Sequence, residues 1–117
     1  MPLLHIQTNI EIGSDQVNLL LSQFSRSTAQ WLGKSEGSVQ VILHTNQPML
    51  FAGSDQPNAH IRLESLGFGT CSLNELCQKF TELMEECLAI PPERIFIRFC
   101  EVERDQWGWK GKTFGIR

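Results

Sequence analysis

Two amphipathic segments 56 residues apart match almost position for position. Val17, Leu20, Leu21, Phe24, Thr28, Trp31 and Leu32 recur at helical spacing. A shift of 56 carries them onto Leu73, Leu76, Cys77, Phe80, Met84, Cys87 and Leu88, with Leu83 widening the second stripe. The flanking strands obey the same shift. Val39, Val41 and Leu43 alternate with Gln40 and His44, as Ile95, Ile97 and Phe99 alternate with Phe96 and Arg98. The opening strands match with a shift of 57, which pairs Leu4 and Ile6 with Ile61 and Leu63. A chain that reads β-α-β twice is tightly constrained. Crossovers between parallel strands are right-handed, so both helices fall on one face of a single four-stranded sheet.

The spacing predicts one α+β domain over residues 1–117, with repeats at 2–45 and 59–102 and a C-terminal hairpin at 103–117. Ser14 is placed to cap the first helix, and Ser72 with Glu75 forms a capping box for the second. Gly33 is expected to end the first helix, and Pro91 with Pro92 the second. The connector from Asn46 to Asn58 is turn-rich, with room for a short strand at Met49 to Ala52.

The helix-facing side of the sheet takes the apolar set. The other side receives Gln40, Ile42, His44, His60, Arg62, Glu64, Phe96 and Arg98, too mixed for a dry core and too apolar to stay wholly wet. Association through that face and the strand edges resolves both problems. The rival architecture is a ferredoxin-like monomer.

Composition narrows the partners. A formal charge of −3 and a pI of about 5.5 weigh against nucleic acid or an anionic membrane as the main partner. No run approaches the roughly 18 apolar residues of a membrane span. Met1-Pro2-Leu3-Leu4-His5 lacks the basic start of a secretory signal. The default location is the cytoplasm, with export without a signal peptide left open. The four cysteines (Cys71, Cys77, Cys87, Cys100) form no Cys-x-x-Cys pair, so reduced, structural thiols are expected.

His5, His44 and His60 fall on three different strands without a short ligand spacing, and no metal is expected. The run Trp107-Gly108-Trp109-Lys110-Gly111-Lys112 interleaves aromatics and cations, a pattern able to stack on bases. In an acidic domain it reads better as a hairpin whose tryptophans pack on a neighbour or line a pocket. Gly67-Phe68-Gly69 precedes the second helix and offers amides to an anion, but it lacks the rest of a phosphate loop. Lys34 follows the first helix, where a cation also suits the helix dipole. Pro2 reads as a plain strand-start proline until an initiator Met is removed. It then carries a secondary amine, which acts as a general base when desolvated.

Taken together, the chain resembles the macrophage migration inhibitory factor family of the tautomerase superfamily, with likeness also to the sister D-dopachrome tautomerases. The resemblance rests on Met1-Pro2, Thr8-Asn9, Gly33-Lys34, Ser65-Leu66-Gly67, Pro92-Glu93-Arg94-Ile95 with Ile97, and Trp109 followed by Thr113-Phe114, in family order over about residues 2 to 114. It implies a homotrimeric barrel of βαβ-repeat subunits around a solvent channel, with pockets between subunits that open around the N-terminal proline. It also implies keto–enol tautomerisation of phenylpyruvate-like 2-keto acids, dopachrome as a test substrate, and no cofactor.

Under that resemblance Pro2 is the catalytic base, and Lys34 holds the substrate carboxylate, aided by the backbone N–H of Leu66. Leu66, Trp107 and Phe114 supply the walls, while Phe96 and Arg98 arrive from the adjacent subunit. Phe96 stands where the family usually has tyrosine, and the chain contains no tyrosine. Arg98 stands where the migration inhibitory factor branch commonly has asparagine. The Cys-x-x-Cys of animal members maps onto Asn58 to Ile61, so thiol oxidoreductase activity does not carry over. The alternative function is a cytokine-like, receptor-binding protein with weak or vestigial tautomerase activity.

Overall fold

The structure, a computed structural model, describes residues 1–116. The order is β1 (Pro2–Thr8), α1 (Ser14–Leu32), β2 (Gln40–His44), β3 (Ala59–Ser65), α2 (Leu73–Leu88), β4 (Ile95–Glu101), β5 (Gly108–Trp109) and β6 (Lys112–Thr113). One-turn 3₁₀ segments sit at Glu36–Ser38, Pro92–Arg94 and Arg104–Gln106. The main sheet runs β2-β1-β3-β4, and β5 pairs with β6 in a separate hairpin.

The two βαβ units meet along an antiparallel pair, β1 with β3, in register from Pro2 opposite Ser65 to Thr8 opposite Ala59. Each unit then adds a parallel outer strand, β2 beside β1 and β4 beside β3. Both central strands alternate buried and half-buried residues throughout, as period-2 geometry requires when only one face is covered. Leu4, Ile6, Ile61 and Leu63 face the helices, and Leu20, Phe24, Leu76, Phe80 and Met84 close over them to form the core. Among these, Leu20, Phe24 and Thr28 are matched at a shift of 56 by Leu76, Phe80 and Met84, all buried. The repeat therefore extends to which side chains are dry.

The pseudo-symmetry reaches the turns. Thr8 ends β1 with its Oγ1 accepting from the Ile10 N–H at 3.3 Å, and Ser65 ends β3 with its Oγ accepting from Gly67 N–H at 3.4 Å. Each is a hydroxyl-capped turn that releases the chain from the sheet toward its helix.

Three local expectations need correction. Ser14 is the first helical residue of α1. Gly13 occupies the N-cap and supplies no side-chain hydrogen bond there. Helix α2 stops at Leu88 because Ala89 turns left-handed (φ 56°), before Pro91 and Pro92 are reached. The prolines instead begin the next 3₁₀ turn. The connector contains a single bridge, Phe51 with Ser54, rather than a strand over 49–52. The Ser72 cap forms as expected, accepting from Glu75 N–H at 3.0 Å. Gly33 ends α1 in a left-handed cap (φ 64°).

Gly67-Phe68-Gly69 is a packing element. Phe68 lies against the core, and Gly69 has φ +71°. A Cβ at Gly69 would stand 2.5 Å from the Leu32 carbonyl oxygen, so the approach to α2 rests on the end of α1. Gly69→Ala combines backbone clash with a disfavoured φ and should cost roughly 2 kcal/mol or more in a urea titration. An unchanged midpoint would mean the loop can move off α1.

Candidate active site

Strand β1 starts at Pro2, and its neighbours determine what stands around that residue. Ser65 is directly across on β3, and the 3₁₀ turn leading into β2 lies beside it. An open cleft of about 320 Å³ forms here. Its walls are Met1 and Pro2, the segment 37–40, and the indoles of Trp107 and Trp109.

The C-terminal hairpin presents those indoles. Lys110 and Gly111 both adopt positive φ (52° and 76°), the signature of a tight two-residue hairpin turn. Gly108 pairs with Thr113, and the Phe114 N–H donates to the Trp107 carbonyl at 3.0 Å. The Phe114 ring lies nearly parallel to that of Trp109 (3°, centroids 6.4 Å apart), and the Lys110 ammonium sits 4.9 Å over the Trp109 ring. Phe114 thus stands behind Trp109 and lies outside the cleft lining.

Lys34 is aimed by the end of α1. Gly33 N–H donates to Gln30 O at 3.3 Å and Lys34 N–H to Ala29 O at 2.9 Å, the paired bonds of a Schellman cap. Its charge reaches the start of β1. The chain's α-amine, here on Met1, is held below its ordinary pKa first by burial and then by Lys34. Both effects disfavour an ammonium at this position. While Met1 is present, the Pro2 nitrogen is an amide without basicity.

Of the other expected site residues, Leu66 follows Ser65 directly and so sits at the Pro2 end of the sheet. Phe96 and Arg98 do not join this cleft. Phe96 is in register with His60 and, through it, with Gln7, five residues from Pro2, or about 17 Å along the strand. It packs on Phe51 (centroids 4.6 Å) and stays 63% exposed. With Met49, Leu50 and His60 it borders a separate apolar hollow of about 470 Å³. Arg98 lies on the sheet face away from the helices, beside Arg62. One chain therefore brings Pro2, Trp107 and, electrostatically, Lys34 together, and leaves Phe96 and Arg98 at a distance.

Sequence reasoning named Trp109 only as one of two tryptophans able to line a pocket, and missed residues 37–40 as walls. The parallel register that sets Leu3 beside Gln40 is the signal that would have placed the second group next to Pro2. Among the described residues, no cluster of three His, Cys, Asp or Glu side chains is arranged to hold a metal ion. Among the described residues no helix is long and apolar enough to cross a membrane. The four cysteines are free thiols.

The tandem βαβ sheet with its two helices on one face is the tautomerase superfamily fold. The family profile described as Macrophage migration inhibitory factor (MIF) matches residues 1–115, and the chain belongs to that family. It is 34% identical over 116 residues to a macrophage migration inhibitory factor homolog of Brugia malayi, covering 98% of this chain and all of that one. It is 31% identical over 115 residues to macrophage migration inhibitory factor of Meriones unguiculatus, covering 97% and 99%. The crystal structure of the homologue from Prochlorococcus marinus superposes with a TM-score of 0.89 at 35% identity, over 97% of this chain and 99% of that one. Membership supports a MIF-like function, tautomerase or cytokine-like in class.

Proposed function

We propose that this protein is a cofactor-free keto–enol tautomerase of phenylpyruvate-like 2-keto acids, with dopachrome as a test substrate. Pro2 is its base, and a homotrimer its working form. The observation that carries the reading is the cleft at Pro2, lined also by Trp107 and Trp109, where the Met1 α-amine is held below its ordinary pKa by burial and the Lys34 charge.

The reaction needs a base that removes the proton next to the keto group and later returns it elsewhere. With Met1 removed, Pro2 is a secondary amine. The burial and Lys34 charge that lower the pKa of the Met1 amine act at the same end of β1. On a Pro2 amine they would favour the neutral form and leave a nitrogen lone pair available near neutral pH. The C–H electrons move into the enolate as the nitrogen takes the proton, and delivery of that proton to oxygen completes the enol. Lys34 holds the carboxylate, and the Leu66 N–H assists. Trp107, with Trp109 and Phe114 behind it, provides flat apolar walls for an aromatic ring.

The mixed sheet face, the unpaired outer edges of β2 and β4, and the distance of Phe96 and Arg98 from Pro2 all favour a trimer in which a neighbour supplies those two residues. Light scattering should give about three times the 13.3 kDa chain mass. A stable monomer at micromolar concentration would overturn the shared pocket. Phenylpyruvate turnover by Met-processed protein tests the activity, and no turnover favours a receptor-binding role.

Lys34→Ala should act mainly on KM, because the carboxylate contact is alike in ground and transition states. The expected loss is about 1–3 kcal/mol, or roughly 5- to 150-fold in kcat/KM. An unchanged KM would move the anchor to Arg98.

A further inference from the structure

Ser65 is fully buried at the end of β3, directly across from Pro2. Three hydrogen bonds grip it. Its hydroxyl donates to the Gly67 carbonyl and accepts from the Gly67 N–H at 3.4 Å, which closes a small ring around Leu66. Its carbonyl accepts from the Val102 N–H at 2.8 Å. Val102 follows β4 and opens the stretch that leads to Trp107. One residue therefore ties together the Pro2 strand, the Leu66 turn and an indole wall of the cleft.

The carbonyl bond fixes where the Leu66 N–H points. Strand β4 flanks β3 on the side away from β1, so the Ser65 carbonyl is turned away from the strand of Pro2. A planar trans peptide sends the N–H of the next residue the opposite way. The Leu66 N–H is thus directed toward the β1 side, where one more step of antiparallel register reaches Met1, a lining residue of the cleft. Loss of Met1 leaves that donor facing the cleft beside Pro2. The matching turn of the first repeat is built differently. A shift of 57 carries Thr8 onto Ser65, and Thr8 Oγ1 accepts from the Ile10 N–H just as Ser65 Oγ accepts from Gly67. The Thr8 hydroxyl, however, donates at 2.8 Å to the carbonyl of Asn58, 50 residues away. Of the two turns, the one beside Pro2 is closed on itself.

We propose that Ser65 is a positioning residue of the Pro2 site: its hydroxyl holds the Leu66 N–H in the direction of the substrate carboxylate. The proposal rests on the tautomerase reading above, in which that N–H assists Lys34. Ser65 itself touches no substrate. Without its hydroxyl the two Gly67 groups lose their shared partner, the ring around Leu66 opens, and the N–H can swing. Hydrogen bonds weaken steeply as their angle closes, so a modest swing forfeits much of the contact. The Val102 bond to the Ser65 carbonyl remains, which keeps the loss partial. A carboxylate contact is alike in ground and transition states, so the loss falls on KM.

The test is steady-state phenylpyruvate kinetics on Met-processed protein, with thermal melts alongside. Ser65→Ala should raise KM about five- to tenfold and leave kcat within about twofold. Ser65→Thr should recover most of the KM, since the first repeat builds its equivalent turn with threonine. Leu20→Ala, which empties a core position in the first half of α1, should lower Tm and leave KM unchanged. Should Ser65→Ala fail to fold, Ser65→Cys, whose thiol donates only weakly, should show the same rise in KM. An unchanged KM in Ser65→Ala, a rise of equal size in Leu20→Ala, or a threonine variant no better than alanine would overturn the role of Ser65 and leave the tautomerase reading in place. No turnover by the parent protein would overturn both.

Discussion

Protein processed to expose Pro2 should turn over phenylpyruvate, and an otherwise identical Met-retaining form should lose about 100- to 10,000-fold in kcat/KM, the usual contribution of a positioned general base. The two forms differ at the Pro2 nitrogen and in the Met1 residue that lines the cleft. In one the nitrogen is a secondary amine at the end of β1 where burial and Lys34 lower the pKa of the Met1 amine, and in the other an amide. Fold and assembly should be unaffected, because Met1 lies outside β1. Equal kcat/KM in the two would remove Pro2 from the mechanism.

The pH profile supplies an independent check. An amine with a lowered pKa is unprotonated above that value, so activity should fall as pH drops through it. Lys34→Ala removes a nearby cation, raises the amine's pKa and should shift the acid limb of the profile toward higher pH. Pro2→Gly keeps an amine but loses the ring, and should retain partial activity.

Much of the architecture was legible because a doubled pattern over-determines it. Leu20 and Leu76, or Phe24 and Phe80, each predict a helix face, and the constant shift between them fixes the order of strands around those helices. Caps were less legible. Ser14 is a residue type favoured at N-caps, yet the chain enters α1 one residue earlier through Gly13, whose backbone is extended. Ala89 carries no sequence signal for a left-handed cap, and its conformation is imposed by Ile90, which is fully buried and must be delivered to the core. In the site, Pro2 was readable as a terminal amine once the initiator Met is removed, and Lys34 as a cation following the first helix. Residues 37–40 were not, because strand register decides their proximity, and register depends on pairing between segments far apart in the chain.

Arg94 illustrates the same limit and should show the largest stability effect of the surface-reaching side chains. Its resemblance to the family marked the position without a reason. The structure supplies one: the guanidinium donates to four backbone carbonyls of the connector, Pro57 (2.9 Å), Phe51 (3.1 Å), Ser54 and Gln56 (3.0 Å each). It also lies 5.4 Å over the Phe51 ring. These carbonyls belong to turns, where no strand or helix supplies a donor, so one planar fork does the work of a missing sheet partner. The turn it holds is tight: Phe51 and Ser54 exchange two 3.0 Å hydrogen bonds, with Ala52 and Gly53 at positive φ (53° and 74°). Phe51 in turn supports Phe96, the residue proposed to enter a neighbour's pocket. Arg94→Ala should therefore cost roughly 2–3 kcal/mol, after water re-solvates part of the loop, and lower Tm by roughly 8–12 °C. Arg94→Lys should recover little, because an ammonium cannot span four acceptors in one plane. Hydrogen exchange should show protection lost across 51–58 first, and kcat/KM should fall even at temperatures where the core is intact, through displacement of Phe96. A lysine variant as stable as the parent would show that charge alone, rather than the fork, holds the connector in place.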